Sequence, residues 1–282
     1  MAVLEPEGAC NGRPAPPERA LQADKRPTAA RAKALNGAAA MAARSGDAAT
    51  ARVRAEEALA LNRALGDAWG TALSQSYLAT AAAEERDWAR AQHIAEECVR
   101  AFRELEDEDL AMHATWLLAW MCRELRERER SRALTEENLR RARATGNERV
   151  EAMSLAALAM LAVDEGRVHD ALDLLKGAYR IDRDYGGRVE IALDLSRFAR
   201  ALAVGGRAGT AARLLAKGEA LREEIGATLE SYAAMEAKLG ETLAAVRAQL
   251  DEAAFAEAWE HGSTLSVDQA VALALDAIDR TS

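Results

Sequence analysis

Apolar residues recur along most of the chain in steps of three and four. Leu155, Leu158, Ala159 and Ala162, for example, occupy positions i, i+3, i+4 and i+7. This spacing places the apolar side chains on one face of an α-helix and leaves the opposite face polar. The stretch between residues 30 and 227 is therefore predicted to consist of amphipathic helices.

Turn-forming residues interrupt this pattern at regular intervals. One series of turn positions, spaced 40 residues apart, is Gly46, Arg86, Arg126, Gly166 and Gly206. A second series, 20 residues further on, is Gly66, Glu106, Gly146, Gly186 and Gly226. A fixed period of this kind is the signature of a repeat architecture. Each 40-residue unit is predicted to be a hairpin of two helices.

Three columns of the repeat hold small residues in almost every unit. The first column is Ala39, Ala79, Ala119, Ala159 and Ala199. The second is Ala51, Ala91, Ser131, Ala171 and Ala211, and the third is Ala58, Cys98, Asn138, Ala178 and Gly218. A single hairpin cannot bury its apolar face, whereas stacked hairpins share a continuous core. The columns are predicted to mark where neighbouring helices approach closely.

The predicted fold class is all-α, a right-handed α-solenoid of five 40-residue hairpins with a C-terminal helical cap. All five prolines lie before Thr28, and proline interrupts helices. Residues 1–28 are therefore expected to form a disordered arm and residues 29–227 the five repeats. The period ends after Gly226, and Ser266 to Gln269 form a capping-box pattern that opens a last helix. We expect residues 228–282 to be capping helices.

The spacing of the small columns resembles that of tetratricopeptide repeats. The second and fourth units carry it through Leu78-Ala79, Ala91 and Cys98, and through Leu158-Ala159, Ala171, Leu175 and Ala178. The family's bulky second-helix position is instead small or polar in the first three units, where it is Ala55, Ala95 and Thr135. The family's proline near the end of the second helix is absent. The resemblance implies that the first helix of each hairpin lines a concave surface.

The stretch from Ala254 to Asp276 is similar to the end of the helical-repeat region of bacterial signal-transducing ATPases, including LuxR-type and MalT-like regulators. In those proteins the array is thought to sense an inducer or to bind partner proteins. No phosphate-binding GxxxxGK[ST] motif occurs in this sequence. The resemblance therefore implies sensing or docking, and not ATP hydrolysis or direct promoter binding.

The charge balance narrows the classes of partner. The chain has 37 basic and 46 acidic residues, a formal net charge of −9. Direct nucleic-acid binding needs a basic footprint, so neither nucleic acid nor an anionic membrane is an expected partner. The three cysteines are too few for a disulfide scaffold, which makes a cytoplasmic location the expectation.

Residues for catalysis or metal binding do not cluster in the sequence. The four histidines, His93, His113, His169 and His261, lie far apart, and no CxxC or HxxxH spacing occurs. No GxSxG motif is present either. We therefore expect no catalytic residue, no metal site and no cofactor, and the chain is predicted not to be an enzyme.

The first helices of the hairpins supply the candidate binding residues. Projecting the tetratricopeptide pattern onto them places seven candidates on the concave face, namely His113, Trp116, Trp120, Arg123, Met153, Met160 and Arg200. Tryptophan and methionine suit adaptable apolar recognition, and an arginine can orient a carboxylate. The alternative is that the tryptophans only fill the core between helices.

These features predict a non-catalytic scaffold that binds a partner protein or peptide on its concave face, in a cytoplasmic regulatory pathway. The alternative is a sensor or arm component of a LuxR/MalT-type transcriptional regulator that binds a small-molecule inducer. A small apolar or carboxylate ligand would suit that alternative.

Overall fold

The computed structural model describes residues 21, 26–44, 46–225 and 233–279, although the side chains of residues 44, 233–237 and 277–279 lie outside the description. The predicted arm, residues 1–28, falls almost wholly outside it. The helices are α1 (Ala29–Arg44), α2 (Ala48–Leu65), α3 (Ala68–Glu84), α4 (Trp88–Glu104), α5 (Glu108–Glu124), α6 (Arg128–Thr145), α7 (Glu148–Asp164), α8 (Val168–Tyr185), α9 (Arg188–Val204), α10 (Ala208–Glu224), α11 (Ala233–Arg247), α12 (Glu252–Thr264) and α13 (Val267–Asp279).

Helices α1 to α10 form five consecutive hairpins that stack in chain order. Each helix packs against its chain neighbours, and the first helices α1, α3, α5, α7 and α9 also contact one another in sequence. Within the described ranges no comparable contact joins the second helices of successive hairpins. The first helices therefore lie on the inner side of the array. The predicted all-α solenoid of five hairpins is confirmed.

The backbone is left-handed at nine of the ten turn positions predicted from the period, and the tenth, Gly226, lies outside the described residues. The φ angle is between +70° and +74° at Gly46, Gly66, Gly146, Gly166, Gly186 and Gly206. It is +62° at Arg86, +55° at Glu106 and +64° at Arg126. A left-handed residue after a helix lets backbone N–H groups bond the last free carbonyls of that helix. Side chains then cap several of the following helices, through Asp47, Asp67, Asp87, Asp107 and Asn147.

The three small columns lie where helices touch. Every member of the first two columns is at most 2% exposed, and Ala58, Cys98, Asn138 and Ala178 of the third are at most 1% exposed. Gly218 is buried as well. Between the columns the core is filled by larger side chains such as Phe102, Leu175 and Phe198. The small residues thus set the distance between helices, and the large residues fill the space that remains.

One further repeat position changes its chemistry from one hairpin to the next. Between the first and second hairpins, Nδ2 of Asn62 donates to Oγ of Ser74 at 3.1 Å. The equivalent residues are Phe102 and Ala114 one unit later, then Ala142 and Ser154. In the fourth unit they are Asp182 and Asp194. The last pair brings two carboxyl groups together at a buried helix contact.

Burial dominates the electrostatics of this acidic pair. Asp194 is fully buried. Its Oδ1 accepts a hydrogen bond from Nη1 of Arg197 at 2.7 Å. Its Oδ2 accepts no hydrogen bond from the described residues. Burial raises the pKa of Asp194 to about 7; Arg197 opposes this rise and Asp182 adds to it. The pKa of Asp182 is also raised by burial. When Asp194 is protonated, its carboxyl O–H donates a hydrogen bond to the side chain of Asp182. Oδ2 of Asp194 then has a partner.

The free energy of unfolding is expected to fall as pH rises from about 4 to 7 because of this pair. The folded-state pKa of Asp194, about 7, is above the value of about 3.9 in an unfolded chain, so the folded state holds a proton that the unfolded state releases. In Asp194→Asn the amide keeps both contacts without titrating. Urea unfolding across this pH range should show a flatter slope than wild type and higher stability at pH 8. The control is Asp184→Asn, an exposed carboxylate on the same helix as Asp182; a wild-type slope in Asp194→Asn would contradict the assignment.

At the left-handed turns, replacing a side chain by glycine should raise the free energy of unfolding, and replacing a glycine by alanine should lower it. A side chain in this conformation costs about 1–2 kcal/mol, from which the greater freedom of glycine in the unfolded chain subtracts about 0.5–1 kcal/mol. Glu106→Gly should therefore stabilise the protein by about 0.5–1 kcal/mol. Gly146→Ala should destabilise it by about 1 kcal/mol, since no atom of the described residues other than its two chain neighbours lies within 4 Å of the added methyl group and only the backbone is affected. The urea midpoint measures both, and equal midpoints for the two variants would be inconsistent with this account.

The C-terminal helices take two different positions. Helix α12 packs along α10, and α13 contacts α8, α9 and α10. Gly262 allows the approach of α12, because a Cβ atom there would lie 2.4 Å from the carbonyl oxygen of Arg213. The hydroxyl of Tyr179 donates to Oδ1 of Asp268 at 2.9 Å and ties α13 to the fourth hairpin. Helix α11, by contrast, contacts α3 as well as α9 and α10, so it crosses the inner side of the array.

Candidate functional site: a pocket on the inner face

An apolar pocket opens on the inner side of the array. It lies between α5, α7 and α9, with residues of α11 across it. Its lining, called here the inner pocket, is Arg86, Trp88, Trp116, Ala119, Trp120, Arg123, Glu124, Ser131, Met153, Ala156, Ala157, Met160, Leu193, Ser196, Arg197, Arg200, Lys238, Leu239 and Thr242. The cavity volume is about 170 Å³. An apolar cavity of about 150 Å³ holds one benzene ring, so the inner pocket accepts one bulky apolar group.

Three tryptophans form one wall of the pocket. The ring centroids of Trp88 and Trp120 are 5.8 Å apart at an interplanar angle of 67°. Those of Trp116 and Trp120 are 6.1 Å apart. All three rings are half-buried and pack against the core of the second and third hairpins, which includes Phe102 and Leu117. Each ring therefore contributes one surface to the core and another to the pocket.

Arg123 and Arg200, the two arginines predicted to orient a carboxylate, both bind the carboxylate of Asp164 in this chain. Nε and Nη2 of Arg123 donate to Asp164 at 2.7 and 3.0 Å. Nη2 of Arg200 donates to Oδ1 of the same carboxylate at 3.2 Å. Burial lowers the pKa of Arg200, and the neighbouring charge of Arg123 lowers it further. Asp164 thus holds both guanidinium groups against the pocket wall.

A second cluster of charges lies where α11 meets α5. Nζ of Lys238 is 3.4 Å from Oε2 of Glu124, whose side chain is only 10% exposed. Nη1 of Arg123 lies 3.6 Å from Oε1 of the same glutamate. Five cationic side chains line the pocket with one carboxylate, that of Glu124; the cations are Arg86, Arg123, Arg197, Arg200 and Lys238. This excess of positive charge contrasts with the net charge of −9 for the whole chain.

The structure brings six of the seven candidate residues together. Trp116, Trp120, Arg123, Met153, Met160 and Arg200 all line the inner pocket. His113 does not line the pocket but stacks beside it, with its ring centroid 5.8 Å from that of Trp116. Although the His113 side chain keeps an exposed surface, the surrounding protein limits hydration of its charged form. This desolvation, together with the charge of Arg149, lowers the pKa of His113.

Sequence reasoning missed the residues that come from outside the first helices. Trp88 begins α4, a second helix, and reaches the pocket from the turn that follows α3. Lys238, Leu239 and Thr242 come from α11, which lies beyond the last repeat and so beyond the reach of the period. In the sequence, Lys238, Leu239 and Thr242 are recognisable only by their i, i+1, i+4 spacing, which predicts one face of an amphipathic helix. That spacing does not predict which part of the array the helix contacts.

The described residues offer no sign of another chemistry. Within them no group of three or more possible metal ligands occurs. Burial raises the pKa of the Cys98 thiol to about 12 and also raises that of Cys122, so neither thiol is a reactive nucleophile at neutral pH. None of the helices described has both the length and the apolar character needed to cross a bilayer.

The fold is shared with several solved TPR-like repeat proteins. BtubC (BKLC) from P. vanneervenii is 18% identical over 75% of this chain and 87% of that chain, with a TM-score of 0.55. The apo form of RapI is 14% identical over 80% and 89%, with a TM-score of 0.56. A putative kinesin light chain from Podospora anserina with nearly identical TPR-like repeats is 18% identical over 70% and 97%, with a TM-score of 0.51. No protein-family model and no curated protein matches the sequence. Identities this low establish a TPR-like solenoid fold and nothing finer.

Removing a pocket tryptophan should cost less stability than removing a core aromatic. A fully buried tryptophan contributes about 3–5 kcal/mol relative to alanine. Because the rings of Trp116 and Trp120 are half-buried, each alanine variant should lose about 1–3 kcal/mol. Urea unfolding followed by circular dichroism measures the loss. The control is Trp69→Ala, whose ring is exposed and donates from Nε1 to Oδ2 of Asp107 at 2.8 Å, so its removal should cost about 1 kcal/mol. Losses of about 4 kcal/mol or more at Trp116 and Trp120 would show that their main role is in the core.

Proposed function

We propose that this protein is a non-catalytic scaffold that binds a partner protein or peptide on its inner face, with the inner pocket taking an apolar anchor side chain. The observation that carries the proposal is the convergence of Trp116, Trp120, Met153 and Met160 on one open apolar cavity. An apolar pocket with a few convergent polar groups is the usual form of a binding site. TPR-like repeat folds generally mediate protein–protein interaction, and their extended inner surface suits that role.

The composition of the pocket supports recognition of an adaptable apolar group. Tryptophan provides a large and rigid contact area, and methionine adapts its shape to what it meets. The positive charges at the rim favour a partner with an acidic residue next to its apolar anchor. The guanidinium groups of Arg123 and Arg200 are fixed by Asp164, so they would meet such a residue without further ordering.

A small-molecule sensor is the second candidate function, and the size of the pocket favours it. A cavity of about 170 Å³ matches a single small aromatic or branched group, and a carboxylate on that molecule would face Arg200 and Lys238. This candidate would fit a sensor or arm component of a LuxR/MalT-type regulator in a cytoplasmic regulatory pathway. This regulatory context is suggested by the sequence of the stretch from Ala254 to Asp276 alone.

Filling the pocket should abolish binding without unfolding the protein. Ala157 lines the inner pocket and is half-buried, so the ring in Ala157→Phe occupies the cavity and removes no core contact. The matched control is Ala133→Phe, which adds the same ring on the exposed surface of α6. Tagged wild type and both variants would be used for affinity capture from native lysate, and the bound proteins and small molecules identified by mass spectrometry.

A protein retained by wild type and by Ala133→Phe but reduced at least about tenfold with Ala157→Phe supports the scaffold; a difference of about 1.4 kcal/mol in binding corresponds to that factor. A small molecule with the same behaviour supports the sensor. Identical capture by all three chains would overturn both functions for the inner pocket.

A further inference from the structure

Helix α11 lies on the surface where a partner is proposed to bind. It follows the fifth hairpin in sequence, yet it contacts α3 of the second hairpin as well as α9 and α10. Three of its residues, Lys238, Leu239 and Thr242, line the inner pocket opposite the tryptophans. A helix that only covered the end of the array would contact the last hairpin alone.

The contact uses one face of an amphipathic helix. Leu239, Thr242, Leu243 and Val246 are at positions i, i+3, i+4 and i+7. Val246 is fully buried and Thr242 nearly so, while Leu239 and Leu243 are partly buried against the core of the last two hairpins. The opposite face, which includes Ala244 and Ala245, is exposed. This arrangement is the helix-in-groove mode of recognition.

Few buried side chains fix α11 to the inner face. Among the described side chains of α11, from 238 to 247, only Thr242 and Val246 are buried. Within that same range, an ion pair joins Lys238 to Glu124 at 3.4 Å, and the guanidinium group of Arg247 lies 4.5 Å from the ring centroid of Phe255 in α12. Helix α12 also buries only two residues, Ala258 and Gly262, but it packs so closely on α10 that Gly262 leaves no room for a methyl group. Elements with few buried apolar contacts open locally at low free-energy cost.

We propose that the inner face is a docking site for an amphipathic α-helix, and that α11 occupies this site until a partner helix displaces it. The inference rests on the proposed function and specifies its partner. The partner helix carries apolar residues at the i, i+3, i+4, i+7 spacing of α11 and a basic residue one position before them, which takes the place of Lys238 beside Glu124. Release of α11 removes one wall of the inner pocket, formed by Lys238, Leu239 and Thr242, and leaves it wider for the anchor side chain.

The test supplies α11 as a separate molecule. The probe is a fluorescein-labelled synthetic peptide with the sequence of residues 233–250, and its binding is followed by fluorescence anisotropy. Leu239→Asp/Leu243→Asp places two charges on the docking face of the chain's own α11. The matched control, Ala244→Asp/Ala245→Asp, places the same charges on the exposed face of the same helix.

The variant with the charged docking face should bind the peptide at least about tenfold more tightly than wild type or the control. In wild type, tethered α11 competes at an effective concentration in the millimolar range. Adding Ala157→Phe should remove the gained affinity. Hydrogen exchange should show faster exchange in α11 of this variant with unchanged protection in α5, α7 and α12, which verifies that the array is folded.

Lys238→Glu provides a second route if the double variant fails to fold. It places a carboxylate beside Glu124 and should raise peptide affinity in the same direction by a smaller factor. Equal affinity of wild type, control and variants for the peptide would overturn occupancy by α11, and binding by none of them would overturn helix docking. If the peptide fails to bind while captured protein is still lost with Ala157→Phe, the scaffold function stands and only the helical partner is rejected.

Discussion

Close contact between helices at the small-residue columns is the constraint on which the whole array depends. The buried alanines of these columns, such as Ala79 and Ala159, place only a methyl group at the contact between helices. A larger residue there would separate the helices, and overpacking of this kind destabilises a core. Because the same spacing recurs in every hairpin, the first helices always lie on the inside of the array, and the pocket lies where three of them meet.

The fold could be predicted because its signals are local and periodic. The turns at Arg86, Glu106 and Arg126 have no glycine, yet they stand in register with glycines 40 residues away, so the period identifies them where turn chemistry does not. The same register is sufficient to place Trp116, Met153 and Arg200 on one face. Those residues come from three hairpins. Because the period is constant, the position of each residue along its own helix relative to the others can be predicted.

Other parts of the site lie beyond the reach of the pattern. The pairing of Asp164 with two arginines joins residues 36 and 41 positions apart, and only the three-dimensional packing selects that partner from the many acids on the surface. The course of α11 is unpredictable for a related reason. Its apolar stripe indicates that one face is buried but not against what, and the period that locates every earlier helix has already ended.

The repeat position shared by Asn62, Phe102, Ala142 and Asp182 has a consequence for how the array is assembled. Solenoid units of equal length face the hazard of misassembly, in which a hairpin docks one unit out of place or onto another copy of the chain. Here the four interfaces differ in chemistry at this position: an amide is paired with a hydroxyl, a phenyl ring with a methyl group, a methyl group with a hydroxyl, and one acid with another. A shift by one unit would bury an unpaired polar group or leave a void, and both are costly. These differing contacts therefore favour the native order of the hairpins. A strictly uniform repeat would not distinguish one order from another.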